Sequence, residues 1–518
     1  MAHDAAPVRR APGAAAAALI VVLVLGALGA VIWRAGGVGA PSAGDWAAVR
    51  FTLLQALASA ALSLGLAIPV ARALARRRFP GRRFLVTLLG APFLLPVIVA
   101  VLGLLAVFGR SGWVNQVLDA MGLPTLQIYG FHGVVLAHVF FNLPLATRLI
   151  LQGWAEIPAE RFRLAAALDL GSAEIHRLLE RPMLARIAPG AFAVIFGICL
   201  TSFAVALTLG GGPRATTVEL AIYQAFRFDF DLGRAALLAC IQVALTLAAA
   251  YLALRLSTGE SFGAGLDRPV ARWDADRWPL RAMDALVIFL ATLFLVGPMS
   301  AVALDGALAL LSLPTPVWAA VLTSLTVAGL SLLVLAALAL PMTMSLSAGR
   351  QRWIDLVGLL GLAVSPLALG TGLFILIYPV ADPSDLTLVV TASVNAVMAL
   401  PFVLRITVPA ARTIVTDYGR LGAHLDMGRG AFTRWVLLPR LAPQLGFAAG
   451  LGLALSLGDL GVIALFANTD QATLPLQIYR LMGAYRMEAA SGAALLLMLL
   501  AFGAFWLCDQ GGRLRAVA

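Results

Sequence analysis

The chain has 518 residues, of which 61% are hydrophobic and only 12% charged, and its mean hydropathy is +0.94. A soluble globular domain is about 45–50% apolar and about 25% charged, so this composition excludes soluble, disordered and fibrous proteins. The net charge is +11, and all 37 basic residues are arginine, because the sequence contains no lysine. That absence excludes a Walker A phosphate loop and a Schiff-base lysine, so any ATP that drives this protein is hydrolysed by another chain.

A bilayer core is crossed by about 20 apolar residues of helix, and the sequence has twelve apolar stretches of about that length. We therefore predict an all-α polytopic membrane protein with about twelve transmembrane helices. The first stretch follows two arginines like a secretory signal, but eleven spans follow it, so we interpret it as an uncleaved helix. The predicted spans lie near 15–33, 52–75, 86–108, 133–151, 190–209, 235–255, 283–303, 318–346, 356–378, 388–407, 445–466 and 489–508.

The arginines predict the orientation of these spans. If the N-terminus is cytoplasmic, 29 of the 37 arginines fall on cytoplasmic segments and eight on outer ones. Basic residues concentrate in cytoplasmic loops of membrane proteins, so we predict that both termini face the cytoplasm. The basic charge then matches an anionic inner leaflet, and nucleic acid is not needed to explain it.

The second half of the chain repeats the first. Residues 257 positions apart match over a continuous stretch. Upstream of that stretch the spacing between matching residues rises to 270, which predicts that the first copy has a longer outer loop at 109–132. We expect a first repeat at 1–256, a cytoplasmic linker at 257–282 and a second repeat at 283–518. Six spans in each make the repeats parallel, related by a pseudo-two-fold axis along the membrane normal. The matched pairs include Pro144 with Pro401, Arg148 with Arg405, Asp169 with Asp426, Gly171 with Gly428 and Pro182 with Pro439.

Two long loops of similar design lie on the predicted cytoplasmic side. The first reads RFRLAAALDLGSAEIHRLLERPMLARIAP from Arg161, and the second reads YGRLGAHLDMGRGAFTRWVLLPRLAP from Tyr418. Each predicts a short amphipathic helix, a break at Gly171 or Gly428, a second short helix, and a stop at a proline eleven residues later. Glycine at the break suits a left-handed backbone angle or the close approach of a partner. A solvated connection would explain one such loop, but two copies with the same spacing favour docking.

The two loops resemble the EAA loops of ABC-importer permeases, whose short coupling helices dock on ATPase subunits. Counted back from the proline, Arg163 and Arg420 stand where that family has a glutamate, and Asp169 and Asp426 stand at its usual glycine. The resemblance implies that both loops contact an ATP-binding subunit. The residues that it assigns to this contact are Arg163, Ala165, Ala166, Asp169, Gly171, Pro182, Arg420, Ala423, Asp426, Gly428 and Pro439.

Five further segments lie outside these two loops: RRRFPGR (76–82), FGRSGWV (108–114), LAHVFFNLP (136–144), LTLGGGPRATTVELAIYQA (207–225) and SLGDLGVIALF (456–466). They resemble the permease family of the bacterial thiamine and thiamine-pyrophosphate ABC importers, and the resemblance extends over nearly the whole chain. It implies a multi-pass permease of the bacterial inner membrane that moves thiamine, with its phosphates as further candidates, into the cytoplasm. It implies as partners an ATP-binding subunit, in two copies, and a periplasmic substrate-binding protein.

Asp459 is the acidic residue that we place inside a span, the eleventh, at the position that matches Ser202. A carboxylate at mid-membrane costs about 2.5–3.5 kcal/mol, so it usually faces a cavity or a partner. Given the fixed positive charge of the implied substrate, we expect Asp459 to line the pathway. The alternative is that it braces two helices. Tyr223 and Tyr479 match near the outer mouth and are candidates for cation–π contact, whereas Glu219 is placed outside the fifth span.

Other functions remain open at this stage. Fused ferric-iron permeases share the twelve-span architecture, and an ion-driven secondary transporter would more often carry several ionisable residues inside its spans. A membrane enzyme needs a cluster of reactive side chains at cavity depth. The five histidines and three cysteines show no metal-ligand spacing. We therefore expect no metal, no cofactor and no enzymatic activity in this chain.

Overall fold

The computed structural model describes residues 11–37, 39–90, 94–212, 215–256, 272–349, 351–468 and 471–517. Across these ranges every regular element is a helix, which confirms the predicted all-α fold. The first fifteen residues of the predicted linker, 257–271, lie outside the described residues.

The first half of the chain forms twelve α-helices in the described part. Three of them, α7, α8 and α9, make up a long loop and the helix that follows it. The helices are α1 (Ala11–Ala35), α2 (Ala43–Arg76), α3 (Arg82–Leu88), α4 (Val97–Phe108), α5 (Trp113–Ala120), α6 (Phe131–Glu156), α7 (Ala159–Ala167), α8 (Ser172–Ile175), α9 (Arg181–Leu200), α10 (Ala204–Leu209), α11 (Val218–Arg227) and α12 (Leu232–Leu256).

The second half follows the same order with three exceptions. Its α16 has no counterpart among the described helices of the first half. It lacks α5, which occupies the longer outer loop of the first half, and it has no separate counterpart of α7. Its helices are α13 (Trp278–Ala309), α14 (Thr315–Ser347), α15 (Arg352–Gly358), α16 (Leu360–Ala363), α17 (Pro366–Ile377), α18 (Thr387–His424), α19 (Arg429–Phe432), α20 (Leu438–Leu457), α21 (Gly461–Phe466), α22 (Leu474–Gly483) and α23 (Met487–Val517).

Eleven helical stretches of the described residues are long and apolar enough to cross a bilayer. Of the predicted spans, the ninth, 356–378, is not among these stretches, because the chain there is divided among α15, α16 and α17. α17 begins at Pro366, capped by the side chain of Ser365, and has 12 residues. A 12-residue helix is about 18 Å long, shorter than the hydrocarbon core. α4 also has 12 residues and begins after Pro96, so both halves contain a short third helix.

Helix bounds in the two halves correspond closely. The pair α9 and α10 and the pair α20 and α21 begin and end at residues 257 apart, with a three-residue break in each. The pairs α11 with α22 and α12 with α23 begin 256 and 255 residues apart. The match between residues 257 positions apart in the sequence is therefore accompanied by a match of these helix bounds.

The first helix of each half packs against the other half. α1 contacts α14 and α17, and α13 contacts α2 and α4. Glycine permits both close approaches: a Cβ on Gly103 of α4 would overlap the backbone of Pro298, and a Cβ on Gly372 of α17 would overlap that of Ala27. This exchange of α1 and α13 ties the two halves together.

The long helix α2 shows how polar residues set its two ends. It begins with a capping box in which the Ser42 hydroxyl accepts from the backbone N–H of Asp45, and the Asp45 carboxylate accepts from the N–H of Ser42 at 2.8 Å. Such reciprocal bonds satisfy amide groups that a helix start leaves free. Asp45 also pairs with Arg234 of α12 at 2.9 Å. The helix ends at Arg76, before the sequence Arg-Arg-Phe-Pro.

Candidate functional site: two matched loops and two broken helices

Loop 1 (residues 157–180) contains α7 and leads into α9. At the end of α7 the N–H of Leu170 donates to the carbonyl of Ala165 at 3.0 Å, and the N–H of Asp169 donates to that of Ala166 at 3.1 Å. These two bonds form a Schellman cap, which requires one residue in the left-handed conformation. That residue is Asp169, with φ of 49°.

Loop 2 (residues 414–437) ends its first helix in the same way. The N–H of Met427 donates to Gly422 at 2.9 Å, and the N–H of Asp426 donates to Ala423 at 3.1 Å. Asp426 has φ of 50°. Aspartate adopts the left-handed conformation more readily than most residues with a side chain, which explains how it replaces glycine at this position in both loops.

The expected backbone role of Gly171 and Gly428 is wrong. Their φ angles are −77° and −59°, which any residue adopts, because the left-handed position lies two residues earlier. Both glycines directly precede the next helix. A Cβ on Gly171 would meet only the flexible end of Glu174 at 2.9 Å, and a Cβ on Gly428 would meet nothing within 4 Å. Within the chain, these positions therefore have room for a side chain.

The prediction that Pro182 and Pro439 stop the second helix of each loop is also wrong. Helix continues from Ser172 to Leu200 and from Arg429 to Leu457, through a π-helical turn just before each proline. Proline lacks an N–H and its ring clashes with the carbonyl four residues back. In a π turn each N–H bonds to the carbonyl five residues back instead of four. The π turn before each proline therefore accommodates the proline without ending the helix. The two loops therefore lead directly into membrane helices.

The outer face of each loop is exposed. Ala165 is only 4% exposed, and Gly422 is buried at its counterpart position, so these two small residues let the loop pack on the protein. The other residues assigned to the ATPase contact are exposed on the two loops or just after them: Arg163, Ala166, Asp169, Gly171, Pro182, Arg420, Ala423, Asp426, Gly428 and Pro439.

Sequence reasoning missed the exposed leucines of both loops. Leu164 and Leu168 are each 62% exposed, and their counterparts Leu421 and Leu425 are 54% and 65% exposed. Residues four apart share one face of a helix, so each loop presents a pair of apolar side chains. Exposed apolar patches outside the bilayer mark interaction surfaces. The sequence did contain a signal for these surfaces: two leucines four residues apart, the first directly before the small residue that packs on the protein.

A buried cluster of charges lies under loop 1. Glu180 is fully buried, and its carboxylate pairs with Arg72 at 2.8 Å, with Arg272 at 3.1 Å and with Arg76 at 3.8 Å. His176 also contacts it, at 3.0 Å. Arg272 lies within the predicted linker, 257–282, and also binds Asp274 at 2.6 Å. Burial opposes ionisation of Asp274, but the hydrogen bond and charge of Arg272 hold the pKa of Asp274 below its usual value.

An apolar cluster lies under loop 2 instead. Leu437 occupies the position that matches Glu180 and is fully buried. It packs with Ile414, Phe432 and Leu441, and with the partly buried Met344. The same position in the two halves is therefore held by ion pairs in one and by hydrophobic contact in the other.

The breaks after α9 and α20 lie in the core of the bundle. Carbonyl groups at the end of α9 have lost their helical partners, and side chains from other helices satisfy them. The amide of Gln55 donates to the carbonyl of Cys199 at 2.9 Å, and the amide of Gln242 donates to that of Leu200 at 2.9 Å. In the second half, Asn395 donates to the hydroxyl of Ser456 at 3.1 Å.

Asp459 lies in the break between α20 and α21, not inside a helix as predicted. Its Oδ1 accepts a hydrogen bond from the backbone N–H of Gly461 at 3.1 Å. Oδ2 is buried and accepts no hydrogen bond from the described residues. The bond to Gly461 is local to the break, whereas the side chain of Asn395 on α18 is close enough to interact with the carboxylate, so the pathway role and the brace between two helices both stay predictions. One carboxylate oxygen remains available to a bound group.

Tyr223 and Tyr479 lie on α11 and α22, and their phenol groups are close enough to interact electrostatically. Tyr223 is only 7% exposed and packs on Phe203, in the break of the first half, with ring centroids 5.2 Å apart. The Cδ1 of Phe203 is 4.0 Å from the position that a Cβ on Gly461 would take, so the two breaks are neighbours. The structure therefore brings the predicted pathway residues into one region.

Glu219 is a buried acid that the sequence placed outside the fifth span. It is fully buried near the start of α11, which packs against α2, α12 and α17. Both carboxylate oxygens lack a hydrogen-bond partner among the described residues. Sequence reasoning missed this position because α11 has 10 residues and is too short to be recognised as a span. The described residues contain no group of three potential metal ligands.

Three relatives with the name "thiamine transport system permease protein ThiP" match almost the whole chain. The relative from Brucella abortus is 39% identical over 523 residues, 98% of this chain and 96% of the relative. The relatives from Salmonella typhimurium and Escherichia coli are 40% and 39% identical, and each alignment covers 96% of both chains. No family model matches the chain.

The chain belongs to the thiamine transport system permease family. Because each alignment covers nearly all of this chain and of the relative, the loops and the broken helices lie within the aligned length. Together with the eleven apolar helices, it makes this permease a multi-pass protein of the inner membrane. The relatives are permease proteins of thiamine transport systems, which confirms the resemblance of the whole chain to that permease family.

Proposed function

We propose that this permease forms the transmembrane pathway of a thiamine ABC importer. The observation that supports it best is the pair of exposed, identically capped loops at positions 257 residues apart, in a chain about 39% identical to thiamine transport permeases. A periplasmic binding protein delivers thiamine to the outer face. Two copies of an ATP-binding subunit dock on loops 1 and 2 from the cytoplasm, where both termini lie.

Each of the two repeats, 1–256 and 283–518, contributes one loop and one broken helix to the importer. The linker lies between the repeats. The loops bind the ATPase through the exposed leucine pairs and the flanking Arg163 and Arg420. The π turns beyond them join each loop to a membrane helix, so a movement of the ATPase reaches α9 and α20. Those helices end at the neighbouring breaks, where the pathway opens.

Uptake of labelled thiamine in a strain that lacks this chain tests the proposal. Expression of the chain should restore uptake, and excess unlabelled thiamine should abolish the signal. Restoration of ferric-iron or sulfate uptake without thiamine uptake would overturn the substrate assignment. A cysteine at exposed Gln116 should react with an impermeant thiol reagent in intact cells, whereas one at exposed Ala173 should not. Asn115 is unsuitable as a probe because it is buried and bonded to Gly109 and Leu126.

Asp459 attracts the positive ring of thiamine in this proposal. Asp459→Asn keeps an oxygen for the Gly461 N–H and removes the charge, so the break should remain folded while thiamine uptake falls about tenfold, roughly 1.4 kcal/mol of lost attraction. Ser202→Ala, the matching site in the first half, is the control and should transport normally. Wild-type uptake by Asp459→Asn would show that the carboxylate acts as a helix cap alone.

A further inference from the structure

A cluster of three buried polar side chains lies where α11 packs against its neighbours. Glu219 is the second residue of α11, which packs against α2, α12 and α17. The side chains of Gln242 on α12 and Ser365 just before α17 are close enough to interact with the carboxylate of Glu219. All three residues are fully buried. Because α17 belongs to the second half of the chain, the cluster lies between the two halves.

Buried oxygen atoms in this region lack donors. Neither carboxylate oxygen of Glu219, nor the Oε1 atom of Gln242, accepts a hydrogen bond from the described residues. The amide nitrogen of Gln242 is already used, because it donates to the carbonyl of Leu200 at 2.9 Å. Gln55 on α2 repeats this pattern: its nitrogen donates to the adjacent carbonyl of Cys199, and its Oε1 is unpaired. Within the part of the chain that the structure describes, four buried oxygen atoms near the end of α9 therefore have no donor.

The electrostatics of this region favour a positive charge. A carboxylate buried without a compensating positive group is strongly unfavourable. The start of α11 stabilises the ionised form of Glu219, because the free N–H groups there carry partial positive charge. The end of α9 is negative instead, since its last carbonyl groups point out of the helix. Carbonyl groups at the ends of broken helices coordinate sodium at membrane depth in secondary transporters.

The matching interface of the other half is apolar. There α22 and α23 pack against α4, as α11 and α12 pack against α17. The residues that match the three polar side chains are apolar and buried: Pro475, Leu497 and Leu95. Packing of these helices therefore does not require polar groups, and the three polar residues occur together at one interface only. A ligand shared by the three explains this difference.

We propose that Glu219, Gln242 and Ser365 bind a monovalent alkali cation, which joins the first half to α17. Oxygen atoms of carboxylate, amide and hydroxyl groups suit such hard cations. A transition-metal site would use a group of His, Cys, Asp or Glu, which the described residues lack. A single carboxylate balances one positive charge, so a monovalent ion leaves the buried site without excess charge. The proposal does not depend on the substrate of the importer.

Equilibrium dialysis of the purified full chain in detergent against radioactive sodium, and against radioactive rubidium as the probe for potassium, tests this proposal. One of the two ions should bind at one site per chain, with choline chloride keeping the ionic strength constant. Glu219→Gln should weaken binding by at least about 100-fold, because it removes the charge that balances the ion. Ser365→Gly removes a ligand oxygen at little cost to the helix cap and should weaken binding about tenfold.

Thermal unfolding supplies a second measurement on the same variants. The ion should raise the unfolding temperature of the wild type, because a ligand that binds only the folded state stabilises it. Glu219→Gln should lose this dependence. In choline chloride this variant should be at least as stable as the wild type, since glutamine leaves no uncompensated charge in the core. A variant that fails to fold is thereby distinguished from one that fails to bind the ion.

Two control variants should bind the ion like the wild type. Asp305→Asn removes an exposed carboxylate from α13. Arg214→Gln removes the arginine nearest to Glu219 in sequence, which lies outside the described residues. No ion binding by the wild type, or wild-type binding by Glu219→Gln, would overturn the proposal, and the first result would show that a proton or the chain itself neutralises the carboxylate. Binding that appears only in Arg214→Gln would also overturn it, because Arg214 would then be the partner of Glu219.

Discussion

Loops 1 and 2 have the same backbone fold but rest on different chemistry. Under loop 1, Glu180 is surrounded by arginines and is fully buried. Under loop 2, Leu437 at the matching position packs in an apolar cluster. The residues around this position differ as well: Arg72 and Arg76, which contact Glu180, are matched in the second half by Met344 and Ala348. The two halves therefore share the exposed surface of the loops. The buried residues beneath each loop differ together, charged in the first half and apolar in the second.

The linker explains why the first half uses charge. Arg272 comes from the end of the predicted linker and reaches Glu180 at 3.1 Å. Loop 1 is therefore tied to the connection between the halves, whereas the cluster under loop 2 contains residues of the second half alone. A buried ion pair adds little stability compared with apolar packing, but breaking one by removing a single partner is strongly destabilising. We therefore expect the two supports to fail in different ways.

The largest loss of stability is expected for Glu180→Leu. This variant introduces the leucine found at the matching position of the second half but leaves the surrounding arginines in place. It leaves buried guanidinium groups without their carboxylate and should lower the free energy of unfolding by about 3–5 kcal/mol. The triple variant E180L/R72M/R76A, which copies the whole apolar set, should recover most of that loss. Thermal unfolding in detergent measures both variants.

Leu437→Ala is the comparison in the second half and should cost about 2–5 kcal/mol through the cavity that it leaves. If E180L is as stable as the wild type, or if the triple variant is no better than E180L, the charges under loop 1 do not act as a set. The account of the two supports would then be wrong.

A second difference concerns the helix that enters each loop. In the first half α6 ends at Glu156 and α7 begins at Ala159, with Pro158 between them, whereas α18 runs through the matching position, Val415, without a break. Proline inside a helix costs about 3 kcal/mol or more, so Val415→Pro should strongly destabilise loop 2. Pro158→Val should cost less than about 1 kcal/mol, because the helix can end at Pro158 or continue. Thermal unfolding of the two variants checks this, and equal losses would contradict it.

The sequence predicted the all-α membrane class because hydropathy carries that feature directly, whereas the bounds of the two repeats and the role of the loops stay predictions. It did not predict that helix continues past Pro182 and Pro439, because a π turn leaves no mark in composition. It placed Asp459 in a helix because the break after α20 is only three residues long and apolar on both sides. Burial of Glu219 depends on helices from both halves, which local pattern does not show.

The smallest effect is expected where the two halves are alike. Asp169 and Asp426 hold the left-handed position of each loop. Glycine takes this conformation without strain, so Asp169→Gly and Asp426→Gly should each stabilise the loop by up to about 1 kcal/mol. Valine at either position should destabilise by about 1–2 kcal/mol. A clear difference between the two sites in thermal unfolding would show that the matched caps are not equivalent.

Substrate-stimulated ATPase activity of the reassembled importer tests the role of the two loops most directly. The complex would contain the purified permease, its ATP-binding subunit and its binding protein, with Leu164 and Leu168, or Leu421 and Leu425, replaced by glutamate. Either pair should abolish stimulation by thiamine without lowering the stability of the permease, because all four leucines are 54–65% exposed. Thr413→Glu, exposed on α18 two turns from Leu421, should keep wild-type stimulation. Wild-type stimulation in both leucine-pair variants would contradict the assignment of these loops to the ATPase.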